Sequence, residues 1–232
     1  MSLKINDNAK YNPENNIHER EGVIKYRLEH REEALADTLD LGQINAWRSL
    51  LFRLELIGQV AEKYHGLGYG NISQRLTFDK PAFLISGTQT GHLPLLTLQH
   101  FAIVEDASAK FNRLFSRGPC RPSSEALTHA SIYQHQQEAQ AVIHVHCPEI
   151  WRQTQALNLA HTAASIAYGS VAMTEAVEEL LAVGKLAEQP IFSMLGHEDG
   201  VVAFGRSMSE AGLVLLQTLA NALALEQARP AV

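Results

Sequence analysis

Apolar residues recur along the chain with two periods, one typical of helices and one typical of strands. The longest helical spacing runs from Ile44 to Tyr64 and predicts a core-packed helix that ends before Gly66. A second helix is predicted to begin after Pro122-Ser123-Ser124-Glu125, because small hydroxyl caps and early carboxylates are typical of helix N-termini. Two further helices are predicted over residues 174–187 and 209–227.

Short apolar runs between turn residues predict the strands, at residues 22–30, 71–77, 82–86, 101–105, 141–147, 191–195 and 201–204. Helices interleaved with short strands favour a three-layer α/β fold, although periodicity alone leaves the strand order open. The hairpin-like pair within residues 71–86 favours a mixed or antiparallel sheet. Residues 1–20 are polar and aperiodic and predict a flexible N-terminal arm, which leaves 21–232 as a single domain.

Composition and charge narrow the class of protein. The chain of 232 residues has a formal net charge of -6 and therefore no excess of basic residues that would attract nucleic acid. We expect no nucleic-acid partner. No run approaches the roughly 18 to 20 uncharged apolar residues of a membrane span, so we expect no membrane insertion. Cys120 and Cys147 do not form the spaced set of cysteines that is typical of a disulfide framework. The chain also shows no secretory leader, so we expect the protein in the cytoplasm.

Two histidines in the stretch VIHVHC carry the strongest chemical signal. His144 and His146 lie two apart on a predicted strand, so their side chains project from one face within reach of one ion. The same alternation sends Cys147 to the opposite face, where we expect it in the core. Such a pair alone is either a metal site or a pair of satisfied buried side chains. His197, after another predicted strand, would complete three imidazoles with an open position, which is typical of catalytic zinc.

Glu125 is the carboxylate nearest to a predicted helix start. The helix macrodipole favours an anion there, and a carboxylate beside a metal can act as ligand, base or both. The alternative is an ordinary capping residue. His129, one turn further on, either orients Glu125 or is simply buried.

Three small-residue segments are placed to bind an anion. Gly70-Asn71, Ser86-Gly87 and Ser123-Ser124 each lie at a predicted turn or helix start, where backbone N–H and hydroxyl groups can donate to a phosphate or carboxylate. Glycine and serine also punctuate ordinary loops, so each segment alone is a weak signal.

Five segments in a fixed order resemble the class II aldolase/adducin family over about residues 43–228: GYGNISQRL, FLISGTQTGHL, PSSEALTHASIY, AVIHVHC and MLGHEDGVVAFG. The resemblance, especially to zinc-dependent sugar-phosphate aldolases, implies a three-layer α/β/α sandwich with a central mixed, largely antiparallel sheet. It implies zinc, or another divalent transition metal, on His144, His146 and His197, with Glu125 as acid/base and possible fourth ligand. It also implies that the three small-residue segments hold a substrate phosphate, in a homotetramer with sites at subunit contacts.

The expected function is therefore that of a metal-dependent lyase acting on a small hydroxy-carbonyl compound through a metal-stabilised enediolate. Aldol cleavage, decarboxylation and dehydration of a sugar acid or sugar phosphate all fit.

The chain departs from the family in three places. First, Glu198 and Asp199 separate His197 from Gly200. Second, the Ser86-Gly87 turn lacks a proline, so the bound group of the substrate could equally be a carboxylate or a phosphate. The family's proton-donor tyrosine has no match, and Tyr168 is the candidate substitute.

Two other functions stay open at this point. The first is a non-catalytic, adducin-like binding or scaffold module, because a fold does not fix a function. The second is a Schiff-base aldolase, which needs a buried lysine of lowered pKa. The lysines considered for it lie outside the motif segments, at positions Lys63, Lys80, Lys110 and Lys185.

Overall fold

A computed structural model describes residues 24–78 and 80–228, so the predicted arm at residues 1–20 lies outside the described part of the chain. The strands are β1 (Arg27–Glu32), β2 (Gly58–Gln59), β3 (Gly68–Tyr69), β4 (Asn71–Arg75), β5 (Phe83–Ser86), β6 (Phe101–Ser108), β7 (Arg113–Gly118), β8 (Ala141–His146), β9 (Ala160–Thr162), β10 (Ile191–Met194) and β11 (Gly200–Gly205). The helices are α1 (Gly42–Arg53), α2 (Ala126–His135), α3 (Pro148–Arg152), α4 (Val171–Ala182), α5 (Lys185–Glu188) and α6 (Met208–Gln227).

The predicted α/β class with a central sheet is confirmed. Nine strands form one sheet in the order β1-β7-β6-β5-β4-β8-β11-β10-β9, and β2 and β3 form a separate hairpin. The pairs β1–β7 and β9–β10 are parallel. The remaining pairs of the large sheet are antiparallel, and β8 lies between β4 and β11 near its centre.

Two apolar clusters pack against this sheet, and strand β8 contributes side chains to both. All six residues of β8 are buried, which is the pattern of a strand covered on both faces. Val142 packs in an apolar cluster with side chains of α2 and α4. Ile143 and Val145 pack in a second cluster with side chains of α1, α3 and α6.

The long helix predicted from Ile44 to Tyr64 is wrong beyond Arg53. Glu55 has a φ of 56°, and its N–H donates to Phe52 O while the N–H of Leu56 donates to Leu51 O. These two bonds form a Schellman motif, which ends a helix and is usually built on glycine. A glutamate at the left-handed position gives no signal in the sequence, so the apolar spacing continues into the turn that follows.

Two other elements differ from their predicted bounds. The helix predicted over 174–187 is interrupted, because Gly184 has a φ of 84° between α4 and α5. The strand predicted over 22–30 is β1, which begins at Arg27 and ends at Glu32. Strand β7 escapes prediction because its inward positions alternate with the charged Arg113 and Arg117.

Helix α6 is long and apolar enough, by length and composition, to cross a membrane, with 20 residues and a mean hydropathy of 1.3. One such helix is weak evidence of a span, because core helices of soluble proteins have the same length and composition. Here Ala211, Leu215 and Ala222 are buried in the second apolar cluster.

A buried polar chain joins α2 to β4. The His129 ring and the Ser73 hydroxyl share a hydrogen bond of 2.7 Å, and the same hydroxyl lies 2.8 Å from the Tyr133 hydroxyl. His129 is fully buried, and this burial lowers its pKa from 6.5 to about 3. The His129 ring therefore bonds Ser73 rather than Glu125, and it stays neutral in the folded protein at ordinary pH.

His129 should make the protein sensitive to acid. Its side chain takes up a proton near pH 6.5 when unfolded but only near pH 3 when folded, so the free energy of unfolding falls as the pH drops between these values. We expect the loss due to His129 to be about 3 kcal/mol between pH 7 and pH 4. His129→Gln should show a correspondingly shallower loss in urea unfolding of metal-free protein. Equal pH dependence in the two proteins would contradict this assignment.

Candidate metal centre

Strand β8 places the first two histidines of the centre. His144 and His146 point to the same face of the sheet and are 0% and 1% exposed. Their Cα partners fix the neighbourhood, because His144 lies between Asn71 of β4 and Val202 of β11, and His146 lies opposite Gly200 of β11. Cys147 is buried in the cluster on the other face, as predicted.

Two consecutive tight turns bring His197 to the pair. The His197 N–H donates to Met194 O at the end of β10, and the Gly200 N–H donates to His197 O at the start of β11. Gly196 lies so close to the Ile166 carbonyl that a Cβ would overlap it, so this position requires glycine. One nitrogen from each of His144, His146 and His197 lies within 4.8 Å of the others.

The protonation of the histidines suits a metal. Burial is the main cause that lowers the pKa of both His144 and His146 well below 6.5, and the neighbouring His197 lowers it further. Both rings are therefore neutral. The His144 Nδ1–H donates to Val201 O at 3.3 Å, which leaves Nε2 with the lone pair. Among the described residues this buried Nε2 has no hydrogen-bond partner. Two neutral imidazoles with one orphaned acceptor, and a third histidine that converges on them, fit a divalent ion of the zinc type.

Glu125 lies beside the three histidines at the N-cap of α2. Its side chain is 1% exposed, and its Oε1 is 3.8 Å from His197 Nδ1. The other oxygen, Oε2, accepts a hydrogen bond of 3.2 Å from Thr128. Its backbone N–H donates to Ser123 Oγ, so the serine rather than the glutamate caps the helix start. The Glu125 side chain therefore does not cap the helix.

Tyr168 packs directly against the third histidine. Its ring is stacked on His197 with centroids 4.4 Å apart and an interplanar angle of 20°. Lys25 also contacts Tyr168: its Nζ donates to the backbone oxygen of Tyr168 and lies 3.9 Å from the centroid of the tyrosine ring. A cavity of about 370 Å³ opens onto Tyr168, His197 and His146.

Five of the six predicted anion-binding residues line one narrow cleft. These are Gly70, Asn71, Gly87, Ser123 and Ser124. The sixth, Ser86, does not line it: its side chain is fully buried and accepts the Ile72 N–H. Gly68, Thr88, Gln89, Thr90 and Gly91 also line this cleft, although they were not among the predicted anion-binding residues.

Tyr64 is the site residue that the sequence did not reveal. Its ring lies 4.3 Å from the His146 ring, and its hydroxyl donates to Asp199 Oδ2 at 2.7 Å. Asp199 is therefore engaged by Tyr64, whereas Glu198 lines the cavity beside His197. The apolar spacing places Tyr64 at the end of a predicted helix, and that mistaken helix conceals its role.

Comparisons with known proteins found one matching family and several solved structures of similar fold. The family described as "Class II Aldolase and Adducin N-terminal domain" matches residues 59–224. No curated protein sequence matches the chain. Among solved structures, L-fuculose-1-phosphate aldolase from Thermus thermophilus is 18% identical with a TM-score of 0.55, over 82% of this chain and 97% of that one.

Two further structures show the same fold. YgbL of Klebsiella pneumoniae, described as a putative aldolase/epimerase/decarboxylase, is 17% identical with a TM-score of 0.58, over 82% of this chain and 90% of that one. A sugar-phosphate aldolase from Thermotoga maritima is 19% identical with a TM-score of 0.55, over 82% and 96% of the two chains. At these identities the structures speak for the fold alone. The family match spans well over half of the sequence, and the chain belongs to the class II aldolase and adducin N-terminal domain family.

Proposed function

We propose that the protein is a divalent-metal-dependent lyase that breaks a bond next to the carbonyl of a small hydroxy-carbonyl compound. The single observation that carries this proposal is the convergence of His144, His146 and His197, all buried and with ligand atoms within 4.8 Å of one another. Aldol cleavage, decarboxylation and dehydration share this chemistry. The family and the names of its structural relatives support the general reaction type.

The three histidines would hold the ion, and Glu125 would hold or move the proton. Zinc is the proposed ion because imidazole nitrogens suit it, although other divalent transition metals bind the same ligands. When bound, the ion supplies a positive charge that stabilises negative charge developing on neighbouring substrate oxygens. Glu125 is buried and 3.8 Å from His197, so its carboxylate can reach a proton on a substrate seated at the open position.

Tyr168 is the proposed proton donor to the departing fragment. Its ring lies against His197 and lines the cavity that reaches His146 and His197. The anion of the substrate would lie in the cleft of Gly70, Asn71, Gly87 and the two serines, with Ser86 supporting the strand behind it. Asn71 pairs with His144 across β4 and β8, so the cleft adjoins the proposed metal centre.

The rest of the proposal concerns the whole protein. We propose one catalytic domain over residues 21–232 with a three-layer α/β/α arrangement, soluble in the cytoplasm and assembled as a homotetramer with its sites at subunit contacts. The Schiff-base alternative needs a buried lysine, and it has little support because the lysines considered for it are exposed. These are Lys63, Lys80, Lys110 and Lys185. The scaffold alternative predicts no tightly bound metal, so the metal content of the purified protein decides it.

Metal content tests the centre directly. Elemental analysis of purified protein should find about one zinc or other divalent transition ion per chain. His144→Ala and His146→Ala should each lose most of it, because two imidazoles bind far more weakly than three. His161→Ala, an exposed histidine on β9, is the matched control and should keep its metal. A wild-type protein without metal, and unable to bind it tightly, would rule out the proposed function.

Proton exchange tests Glu125 without knowledge of the natural substrate. In D₂O the metal-loaded protein should exchange the α-hydrogens of dihydroxyacetone or of its phosphate, followed by proton NMR. Glu125→Gln should slow this exchange by about 10²- to 10⁴-fold, because the base is lost. Glu178→Gln, a glutamate on α4 away from the histidines, should leave it unchanged. If Glu125→Gln exchanges as fast as the wild type, Glu125 is not the base.

A further inference from the structure

Tyr64 is linked to two of the three histidines of the candidate metal centre. Its ring lies edge-on to the His146 ring, with the two centroids 4.3 Å apart. Its hydroxyl donates to Asp199 Oδ2 at 2.7 Å, and Asp199 follows His197 in the turn that carries that histidine. One side chain therefore contacts the histidine on β8 directly and the turn of the third histidine through a single hydrogen bond.

Asp199 is fixed at its backbone as well as at its carboxylate. It is 8% exposed, and its carbonyl accepts the N–H of Cys147, the residue after His146, at 2.8 Å. Its φ of 59° lies in the left-handed region, which aspartate tolerates better than most residues do. Asp199 is one of the two acidic residues that separate His197 from Gly200. This turn therefore places an acceptor for the Tyr64 hydroxyl between the two chain segments that carry histidines.

The backbone around Tyr64 adopts a conformation that its side-chain contacts must maintain. Tyr64, His65 and Gly66 have successive φ values of 48°, 59° and 73°. Residues other than glycine visit this left-handed region as single positions, at a cost in free energy, and rarely in succession. Such strain persists where the surrounding structure holds it, and it is concentrated at functional sites. Besides its two contacts at the metal centre, the Tyr64 ring packs edge-on against Tyr69, with centroids 4.9 Å apart.

Tyr64 also stands between two cavities that both reach His146. One is the cavity of about 370 Å³ that opens onto His197. The other has a volume of about 380 Å³ and is lined by Glu149 and Asp199. Tyr64 lines both cavities, so its hydrogen bond to Asp199 fixes the wall between them. Without that bond the ring is free to turn, and His146 becomes open to water from a second side.

We infer that the hydrogen bond between Tyr64 and Asp199 is a clasp that holds His146 and His197 in the orientation that binds a divalent ion, and that it slows the loss of that ion. Both residues of the clasp are positioning residues, because they act through the two histidines. The inference rests on the proposed function only in assigning an ion to the three histidines. It does not depend on which bond of a substrate the protein breaks.

The rate of ion loss tests the clasp without any substrate. Zinc-loaded protein is mixed with an excess of a chelating dye, and release of the ion is followed by absorbance. Tyr64→Phe keeps the ring and loses the hydroxyl, and it should release zinc about tenfold faster than wild type or more, the range for groups that orient metal-binding histidines. Tyr69→Phe is the matched control and should release zinc at the wild-type rate. Its ring also lies near His146, at 5.4 Å, but its hydroxyl donates to Glu55 O.

A double-mutant cycle separates the clasp from an effect of either residue alone. Asp199→Ala should release zinc as fast as Tyr64→Phe, and the double variant no faster, because all three lack the same bond. Asp199→Asn keeps an acceptor oxygen and tolerates the left-handed backbone, so it should release zinc more slowly than Asp199→Ala. This pair decides the question if Tyr64→Phe does not fold. Additive effects would overturn the inference, as would fast release from Asp199→Ala with wild-type release from Tyr64→Phe.

Cobalt in place of zinc gives a spectroscopic readout, because the visible absorption of a bound cobalt ion depends on the arrangement of its ligands. Tyr64→Phe should change this absorption, and Tyr69→Phe should leave it as in wild type. An unchanged spectrum or an unchanged release rate in a folded Tyr64→Phe would each overturn the inference. A wild-type protein that binds no ion defeats the proposed function and the clasp together. Tight binding in wild type, with the same release rate in Tyr64→Phe, defeats the clasp alone.

Discussion

The central constraint on this molecule is the burial of two imidazoles on a strand that is covered on both faces. β8 places Ile143 and Val145 in one apolar cluster and His144 and His146 on the opposite side, away from water. Such rings must be neutral, and each neutral ring carries a lone pair that requires a partner. The carbonyl of Val201 orients one ring, and the register of β11 brings His197 to complete the set. Much of the sheet centre is thus organised around three nitrogens.

Helix α2 connects this centre to the core on one side and to the cleft on the other. Its N-cap residue Glu125 lies beside His197, and the preceding serines line the cleft. One turn later His129 reaches across to Ser73 on β4, and this bond ties the helix to the sheet. A shift of α2 would therefore disturb the carboxylate, the cleft and a buried hydrogen-bond chain together, which favours a rigid site over an adaptable one.

The sequence predicted the parts of this arrangement that depend on periodicity and chemical type. The strand carrying His144 and His146, the start of α2 at Glu125 and the opposite orientation of Cys147 all follow from alternation and capping. The parts that depend on unusual backbone could not be predicted in the same way. Glu55 ends α1 at a position normally taken by glycine, and that ending places Tyr64 beside His146. Ser86 supports the cleft instead of lining it, because strand pairing turned its side chain inward.

Strand β1 lies outside the residues matched by the family and closes one edge of the large sheet by pairing with β7. Without it, the N–H and C=O groups along β7 would face solvent as a template for another chain. β1 becomes the edge in its place, and it alternates Arg27, Glu29 and Arg31 with partly buried Leu28 and His30. Like charges on two molecules would meet if such edges joined in register. A chain trimmed to the matched residues would thus keep the three histidines yet lose its protection against sheet-to-sheet aggregation.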